Sequence, residues 1–300
     1  MTTDVFTIAV CVHPVLAVDH SALPELDARG QVKEELLQRS INERDLLALE
    51  EALRIRESLD RPVRIYAIHY GGESADEHLR SCLAMGADEA LRITRTVAGP
   101  MDATLVAAFL AEGLRSIAPQ LILCGDHSTE GMSGMVGPSI AHFLGIPYVG
   151  ATVSLELALA PRRMRATQRF DRGARLIWDR PLPAVCGVDL GINHPRYVPV
   201  RRLIRSRGRA VKVVELAEQE HIGEKIEQRF GDVYAPSLSY PRVRPKKVAV
   251  AVSSNPADRL KAMRAVAPVK ATGKSERLRG DPLMIARRIV ELLEEKGLVE

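Results

Sequence analysis

The sequence predicts an α/β fold built around a parallel sheet. In the N-terminal half, short apolar runs with the length of buried strands alternate with segments whose apolar residues recur at helical spacing. The chain has 300 residues, 46% of them hydrophobic, which is enough to build a sizeable core. Strands that alternate with helices form βαβ units, so helices cover both faces of the sheet and ligands bind at the carboxyl ends of its strands.

The first predicted strand, residues 5–12, is followed by a long excursion. Residues 13–41 contain prolines, a glycine and scattered charge, which argues against an immediate helix. A helix is then predicted over residues 45–58, because leucine and isoleucine recur there at near-helical spacing. Asn42 is the predicted N-cap, and acidic residues in the first turn suit the helix dipole.

Two more strand and helix units follow in the same order. Strands are predicted at residues 63–70 and 90–93, and helices at residues 74–85 and 102–118. A fourth strand, residues 121–124, ends in a glycine-rich loop.

The stretch over residues 121–149 reads as strand, loop and helix. The loop, residues 125–134, contains three glycines, and the helix over residues 136–144 is followed by Gly145-Ile146-Pro147 as a stop signal. Such a loop leaves backbone N–H groups unpaired at a helix N-terminus, where these groups and the helix dipole favour a phosphate. Two interpretations stay open, a nucleotide phosphate site and an ordinary connection in a parallel sheet.

Candidate ligand residues follow three of the predicted strands. Residues 11–13 and 70–72 lie at the ends of the first and second strands, and residues 125–134 follow the fourth strand. Their convergence at one edge of the sheet favours a nucleotide or another anionic ligand. The sequence has neither GxxxxGK[ST] nor a GxGxxG after the first strand, which disfavours a Walker-type ATPase and a standard dinucleotide-binding half. It also shows no catalytic constellation and no metal-spaced histidines.

Composition predicts a globular chain with a cytoplasmic location. The sequence has no signal peptide and no apolar run of the roughly 18 residues that a transmembrane segment needs. Its four cysteines are far apart and lie mostly in strand-like runs, which predicts buried free thiols. The basic run over residues 196–212 suits nucleic acid, an acidic partner or a solvated face, and the lack of aromatic interleaving disfavours nucleic acid.

Four ordered motifs resemble those of the beta (small) subunit of electron transfer flavoproteins. The family signature after the fourth strand is close to GKQSxDGDxGQVGPxLAExLGxP, and residues 125–147 read GDHSTEGMSGMVGPSIAHFLGIP in register. NERDLLALEEA at residues 42–52 resembles NPFDxxAxEEA, and LAMGAD at residues 83–88 is a close match. PAVCGVDLGINHPRY at residues 183–197 resembles PAVVTxxxxxNEPRY. The resemblance covers roughly residues 5–215.

The resemblance implies an electron carrier rather than a self-contained enzyme. Such beta subunits have a Rossmann-like α/β domain of the adenine-nucleotide alpha-hydrolase type and form a heterodimer with an alpha subunit that makes most of the contacts to FAD. They shuttle electrons from flavin dehydrogenases to a downstream acceptor such as a membrane quinone oxidoreductase. The beta subunit buries AMP or, in the flavin-bifurcating branch, a second FAD. A non-redox nucleotide-binding module is the alternative of a different class.

The resemblance also implies a cofactor site. The backbone N–H groups of residues 130–134 are expected to hold phosphate, Cys11 and Tyr70 to wall the adenine, and Ser128 and Ser133 to donate hydroxyl hydrogen bonds. The full set implied is Cys11, Asn42, Glu43, Arg44, Asp45, Tyr70, Gly71, Gly125, Asp126, His127, Ser128, Thr129, Glu130, Gly131, Met132, Ser133, Gly134, Met135 and Val136.

The chain departs from the family pattern inside this set. Met132 and Met135 stand where polar ligands are expected, and Asp126-His127 replaces the usual Lys-Gln. Glu43 replaces the proline after Asn42. Backbone contacts survive such changes because they do not depend on side chains, so AMP and FAD both remain open.

The segment over residues 188–197 resembles the family's recognition loop, which docks onto client dehydrogenases by an exposed aliphatic residue. Leu190 and Ile192 are the candidate anchors, and the alternative is that they cover the sheet. The implied recognition residues are Leu190, Ile192, Pro195, Arg196 and Tyr197. The basic run that follows replaces a lysine cluster of the family, and arginine makes durable forks with carboxylates.

Two domains are expected, an α/β nucleotide-binding domain over residues 1–215 and a C-terminal arm over residues 216–300. The arm contains a proline-rich stretch at residues 231–245, a candidate strand at residues 247–252 and an amphipathic helix at residues 281–296. In the family this arm reaches around the alpha subunit, and the alternative is a helix packed on its own domain.

Overall fold

The computed structural model describes residues 5–16, 25, 38–94, 102–216 and 281–295. The chain divides into one compact unit over residues 1–240 and a second over residues 241–300. The proline-rich stretch and the candidate strand predicted at residues 247–252 lie outside the described residues, and the domain boundary at residue 215 stays a prediction.

The described strands and helices alternate as predicted in the N-terminal half. The strands are β1 Phe6–Cys11, β2 Pro14–Leu16, β3 Arg39–Ile41, β4 Val63–Tyr70, β5 Glu89–Thr94, β6 Leu121–Gly125, β7 Tyr148–Leu159, β8 Arg162–Arg169, β9 Arg175–Pro181, β10 Ala184–Val188 and β11 Lys212–Glu215. The helices are α1 Glu43–Ser58, α2 Asp76–Met85, α3 Ala103–Ile117, α4 Val136–Leu144, α5 Val200–Ser206 and α6 Pro282–Glu295, with short 3₁₀ turns at Glu73–Ala75 and Asp171–Gly173.

Nine strands form one sheet in the order β11-β5-β4-β1-β6-β10-β7-β8-β9. The pairs from β11 to β7 are all parallel, so the predicted α/β class with a large parallel sheet is confirmed. β4 and β5 lie on one side of β1, whereas β6, β10 and β7 lie on the other side. The switch point of the sheet therefore lies between β1 and β6, which is where open α/β sheets bind ligands.

Two apolar layers cover the parallel part of the sheet. The core on one face includes buried residues of α1 and α2, such as Leu49 and Leu79. The core on the other face includes buried residues of α3 and α4, such as Leu110 and Ile140. All four cysteines are buried and free, as the sequence predicts.

The sequence analysis did not predict the antiparallel end of the sheet. β7, β8 and β9 pair in antiparallel fashion and extend the sheet beyond its parallel part. Only one face of this extension packs on the core, through residues such as Met164 and Ala166. Over residues 163–166, β8 therefore alternates arginine with apolar residues, a pattern that antiparallel strands with one solvated face commonly show.

The second unit contributes one described helix, α6, where the sequence predicts an amphipathic helix. None of its side chains is buried, and Leu283 and Met284 are 72% and 64% exposed. Among the described residues, no helix combines the length and apolar character needed to cross a membrane.

Candidate functional site

Asp45 joins the two loops that flank the switch point. Its Oδ2 accepts the N–H of His13, which follows β1, and its Oδ1 accepts the N–H of Gly125, at the end of β6, both at 2.8 Å. Burial raises the pKa of this carboxyl to about 6, although the two N–H donors act in the opposite direction. The first turn of α1 thus holds both loops.

Gly125 lies against α1 so closely that a side chain has no room. A Cβ built on it would lie 2.4 Å from Asp45 Oδ1 and 2.8 Å from Arg44 Cβ. Asn42 strengthens the same contact, because its Nδ2 donates to the carbonyl oxygen of His127 at 3.1 Å. Asn42 directly precedes α1, as predicted, but its side chain makes no capping hydrogen bond. Its Oδ1 is buried and has no partner within the described residues.

In the loop over residues 126–135, some backbone N–H groups donate hydrogen bonds to acceptors of the same loop. The N–H of Met132 donates to the Ser128 carbonyl oxygen at 3.1 Å, and the N–H of Gly131 donates to Ser128 Oγ at 3.4 Å. Met132 and Gly134 adopt positive φ values of 46° and 61°. Two of the N–H groups expected to hold phosphate are therefore engaged inside the loop. Ser133 Oγ likewise accepts the N–H of Met135 at 3.4 Å.

Free donors remain at the start of α4. Within the part of the chain that the structure describes, the N–H groups of Gly134, Val136 and Gly137 donate to no protein acceptor. Gly137 brings the helix close to β7, since a Cβ there would lie 2.8 Å from the Tyr148 ring. Three such donors beside a helix N-terminus form an arrangement that suits an anion.

The two acidic side chains of the loop, Glu130 and Asp126, accept hydrogen bonds from backbone groups outside the loop. Glu130 accepts the N–H of Leu16 at 2.6 Å, and its other oxygen lies 3.5 Å from His13 Nε2. The hydrogen bond with His13 lowers the pKa of the Glu130 carboxyl. Asp126 accepts the N–H of Ala151 at 2.7 Å. Neither carboxylate therefore depends on the free donors of α4 for its hydrogen bonds.

The remaining predicted cofactor residues differ in exposure. Cys11 is buried in the core, and burial raises the pKa of its thiol to about 12. Tyr70 is half-buried and stacks on Phe109 with ring centroids 4.9 Å apart. Gly71 packs against His69, which leaves a Cβ only 2.5 Å from that ring. The exposed members of the set are Glu43, Thr129, Glu130, Gly131, Met132, Ser133 and Met135.

Asp189 is a site-forming residue that the sequence analysis missed. It follows β10, is 4% exposed and receives Arg44 Nε at 3.0 Å and an Arg169 guanidinium nitrogen at 2.5 Å. Burial acts to raise the pKa of Asp189, but the Leu190 N–H and the two arginines outweigh it and lower the pKa. The sequence could have indicated Asp189 as a candidate, because it directly follows a short apolar run typical of a buried strand.

The predicted recognition segment is fixed to α1. Arg196 forms hydrogen bonds with both Glu50 and Glu57 at distances from 2.7 to 3.2 Å. Leu190 and Ile192 are partly buried and pack against the core.

The outer residues of this segment reach solvent. Tyr197 is 82% exposed, and Pro195 is exposed as well. The segment thus combines a fixed base with an exposed aromatic side chain.

Comparisons with known proteins identify the family of this chain. The model of the electron transfer flavoprotein domain matches residues 30–220. The electron transfer flavoprotein subunit beta of Methylophilus methylotrophus is 31% identical over 187 residues, which cover 62% of this chain and 71% of that protein. The subunit beta proteins of Mycobacterium leprae and Dictyostelium discoideum are 32% and 28% identical, with 63% and 58% of this chain and 69% and 67% of their own lengths covered. The chain therefore belongs to the electron transfer flavoprotein family, among its beta subunits.

Proposed function

We propose that the chain is the beta subunit of a heterodimeric electron transfer flavoprotein. In this role it pairs with an alpha subunit and passes electrons from flavin dehydrogenases to a downstream acceptor such as a membrane quinone oxidoreductase. One observation carries the proposal: the family match over residues 30–220 includes both the loop at the switch point and the segment fixed by Arg196. The domain is then of the adenine-nucleotide alpha-hydrolase type.

The switch-point loop is the proposed nucleotide site, and its residues fit a phosphate through backbone groups. The N–H groups of Gly134, Val136 and Gly137 supply the donors, and Glu130 and Asp126 are engaged elsewhere. The fit needs no lysine, which explains how the site tolerates the departures from the family signature. We propose AMP as the ligand, with a second FAD as the variant of the bifurcating branch.

In this proposal the residues of the chain position the bound nucleotide and do not themselves transfer electrons. FAD, shared with the alpha subunit, supplies the electron transfer when it is bound. Asp45 fixes the loops after β1 and β6 relative to one another, so the free N–H groups of α4 keep their place. The cofactor-binding set named from the sequence remains the proposed site, with the backbone of residues 134–137 as its centre.

The recognition segment is proposed to dock on client dehydrogenases. Leu190 and Ile192 stay the proposed anchors, and the exposed ring of Tyr197 adds contact area beside them. Arg196 acts here through its ion pairs with α1, which hold the segment in place. The exposed arginines of α5 offer charge to an acidic client.

We further propose that residues 216–300 form an arm that binds the alpha subunit. Leu283, Met284, Ile289 and Val290 of α6 are exposed, and an amphipathic helix of this kind buries its stripe in a groove of a partner. Deletion of residues 216–300 is expected to weaken binding of the alpha subunit, measured by sedimentation.

The test is co-purification with the alpha subunit of the same organism, followed by extraction of the nucleotides and mass spectrometry. A yellow heterodimer that yields FAD and AMP supports the proposal, and FAD in a ratio of about two per heterodimer supports the bifurcating variant. A stable colourless monomer that binds no alpha subunit would overturn it. Bound ATP with turnover would instead indicate a non-redox nucleotide-binding module.

A further inference from the structure

The N-terminus of α1 carries two of the residues that hold the loop of the nucleotide site. Asn42 Nδ2, directly before the helix, donates to the His127 carbonyl oxygen at 3.1 Å, and Asp45 Oδ1 accepts the N–H of Gly125 at 2.8 Å. Both contacts fix the start of the loop over residues 126–135. The free N–H groups at the start of α4 lie at the other end of this loop. A phosphate bound by these groups therefore restricts the loop and, through it, the N-terminus of α1.

Arg44 lies between Asn42 and Asp45 in sequence but binds a different element. Its Nε donates to Asp189 Oδ1 at 3.0 Å, and the two side chains are only 12% and 5% exposed. Asp189 lies at the base of the recognition segment, and its Oδ1 also accepts the N–H of Leu190 at 2.7 Å. Because a buried charge is costly without its partner, Arg44 and Asp189 stay together. The pair thus joins the N-terminus of α1 to one of the proposed docking anchors.

Asp189 has a second arginine partner that does not belong to α1. Arg169, at the end of β8, donates to Asp189 Oδ2 at 2.5 Å and to the Leu190 carbonyl oxygen at 3.3 Å. Both arginines hold the same carboxylate, but only Arg44 lies beside the residues that hold the nucleotide loop. The two arginines therefore provide a matched comparison.

The later part of the recognition segment is held further along α1. Asn193 Nδ2 donates to the Leu47 carbonyl oxygen at 3.0 Å and to Glu51 Oε2 at 2.9 Å. The ion pairs of Arg196 also lie beyond the first turn of the helix. An influence of the nucleotide should therefore be concentrated at residues 189–192, which include both proposed anchors.

We propose that the N-terminus of α1 couples the nucleotide site to the recognition segment, with Arg44 and Asp189 as the positioning pair. The inference rests on the proposed function, because that function supplies both the nucleotide and the client dehydrogenase. A nucleotide that orders the loop also orders this end of α1, so residues 189–192 lose less freedom when a client binds them. The nucleotide thus favours docking without contact with the client. By linkage, a docked client strengthens nucleotide binding by the same factor.

The experiment follows hydrogen exchange of residues 189–192 in the full-length chain, first freed of nucleotide and then saturated with AMP, or with FAD where AMP does not bind. R44M removes the arginine of the pair, and D189N removes its negative charge. R169M is the matched control, since it removes the other arginine of the same carboxylate. Calorimetry gives the nucleotide affinity of each variant, so that exchange is compared at equal saturation. β9, at the far edge of the sheet, serves as the reference for general stabilisation.

We expect the nucleotide to slow exchange at residues 189–192 by about fivefold or more in the wild type and in R169M, and by less than about twofold in R44M and D189N. Without nucleotide, exchange should be faster in all three variants than in the wild type, since each removes a contact of Asp189. A purely structural role of Arg44 predicts only this second effect.

Nucleotide binding with unchanged exchange in the wild type overturns this inference and leaves the proposed function intact. An effect of the nucleotide that persists in R44M and D189N also overturns it, as does an effect lost equally in R169M. Equal slowing in β9 overturns it as well, since the nucleotide then stabilises the whole chain. A wild type that binds neither nucleotide counts against the proposed function itself and overturns the inference with it. If R44M does not fold, the comparison of D189N with R169M decides.

Discussion

The carboxylate of Asp45 accepts the N–H of Gly125 at 2.8 Å, across 80 residues of sequence. The same carboxylate accepts the N–H of His13, so α1 determines the spacing of the two loops at the switch point. The backbone donors at the start of α4 follow one of these loops. Their placement therefore depends on a contact far from them in sequence.

Gly125→Ala is expected to destabilise the protein by about 2–3 kcal/mol, because its Cβ would lie 2.4 Å from Asp45 Oδ1. Gly131→Ala is the matched control in the same loop, since a Cβ there meets nothing within 4 Å. Urea denaturation of both variants measures the difference. Equal stability of the two would show that the loop moves away from α1 at little cost.

Asp45→Asn should change the pH dependence of stability. Burial raises the pKa of Asp45 to about 6, above an unfolded value of about 4, so the native state binds this proton more tightly. The resulting stabilisation is complete below about pH 4 and is lost as the pH rises through about 6. The advantage of the wild type over Asp45→Asn should thus be larger at pH 4 than at pH 7.5, by about 2–3 kcal/mol.

Urea denaturation at a series of pH values measures that advantage. Asp60→Asn serves as the control for the loss of one carboxylate, because Asp60 is exposed. A difference between the wild type and Asp45→Asn that stays constant from pH 4 to pH 7.5 would contradict the linkage.

The parallel part of the fold was predictable because each of its elements carries a local pattern. The apolar run of β4 and the helical spacing in α4 reproduce the observed bounds Val63–Tyr70 and Val136–Leu144. The antiparallel end was not predictable in this way, because half of β8 is arginine and its apolar face is built from small residues such as Ala166.

The candidate site was predictable as a set of loops but not as a set of contacts. Strand order brings the loops after β1 and β6 together, and the glycines of residues 125–134 identify the second of them. No local pattern shows that Asp45 bridges these loops or that Asp189 pairs with two arginines. The contacts of Asp45 span 32 and 80 residues of sequence and those of Asp189 span 145 and 20, and they exist only because the sheet brings the elements together.

Asp189→Asn should cost about 2–3 kcal/mol of unfolding free energy, because Arg44 would lose its charged partner while its side chain is only 12% exposed. The lowered pKa of Asp189 gives the sign of the pH effect: its stabilisation is present above about pH 4 and is lost as the pH falls. The exposed Asp171 provides the control variant Asp171→Asn. A loss no greater than that of the control, in denaturation at pH 7, would show that the arginines find other partners.

Arg196→Met should make the recognition segment more mobile, because the substitution removes the ion pairs that join this segment to α1. Glu50, whose side chain is 7% exposed, would keep its charge without the guanidinium that pairs with it, at a cost of about 2–3 kcal/mol. The pKa of Glu57, lowered chiefly by its hydrogen bond with Arg196, should rise toward its ordinary value. Arg196→Lys keeps the charge but not the bidentate fork, so its cost should be about 1 kcal/mol.

Hydrogen exchange over residues 189–197 distinguishes a structural role of Arg196 from a role in direct partner contact. A structural role predicts faster exchange in Arg196→Met than in Arg202→Met, since Arg202 is exposed and has no ion pair among the described residues. Weaker binding of a dehydrogenase with unchanged exchange would instead place Arg196 in the interface. Because Arg196 already pairs with Glu50 and Glu57 within the subunit, we expect the faster exchange to be observed.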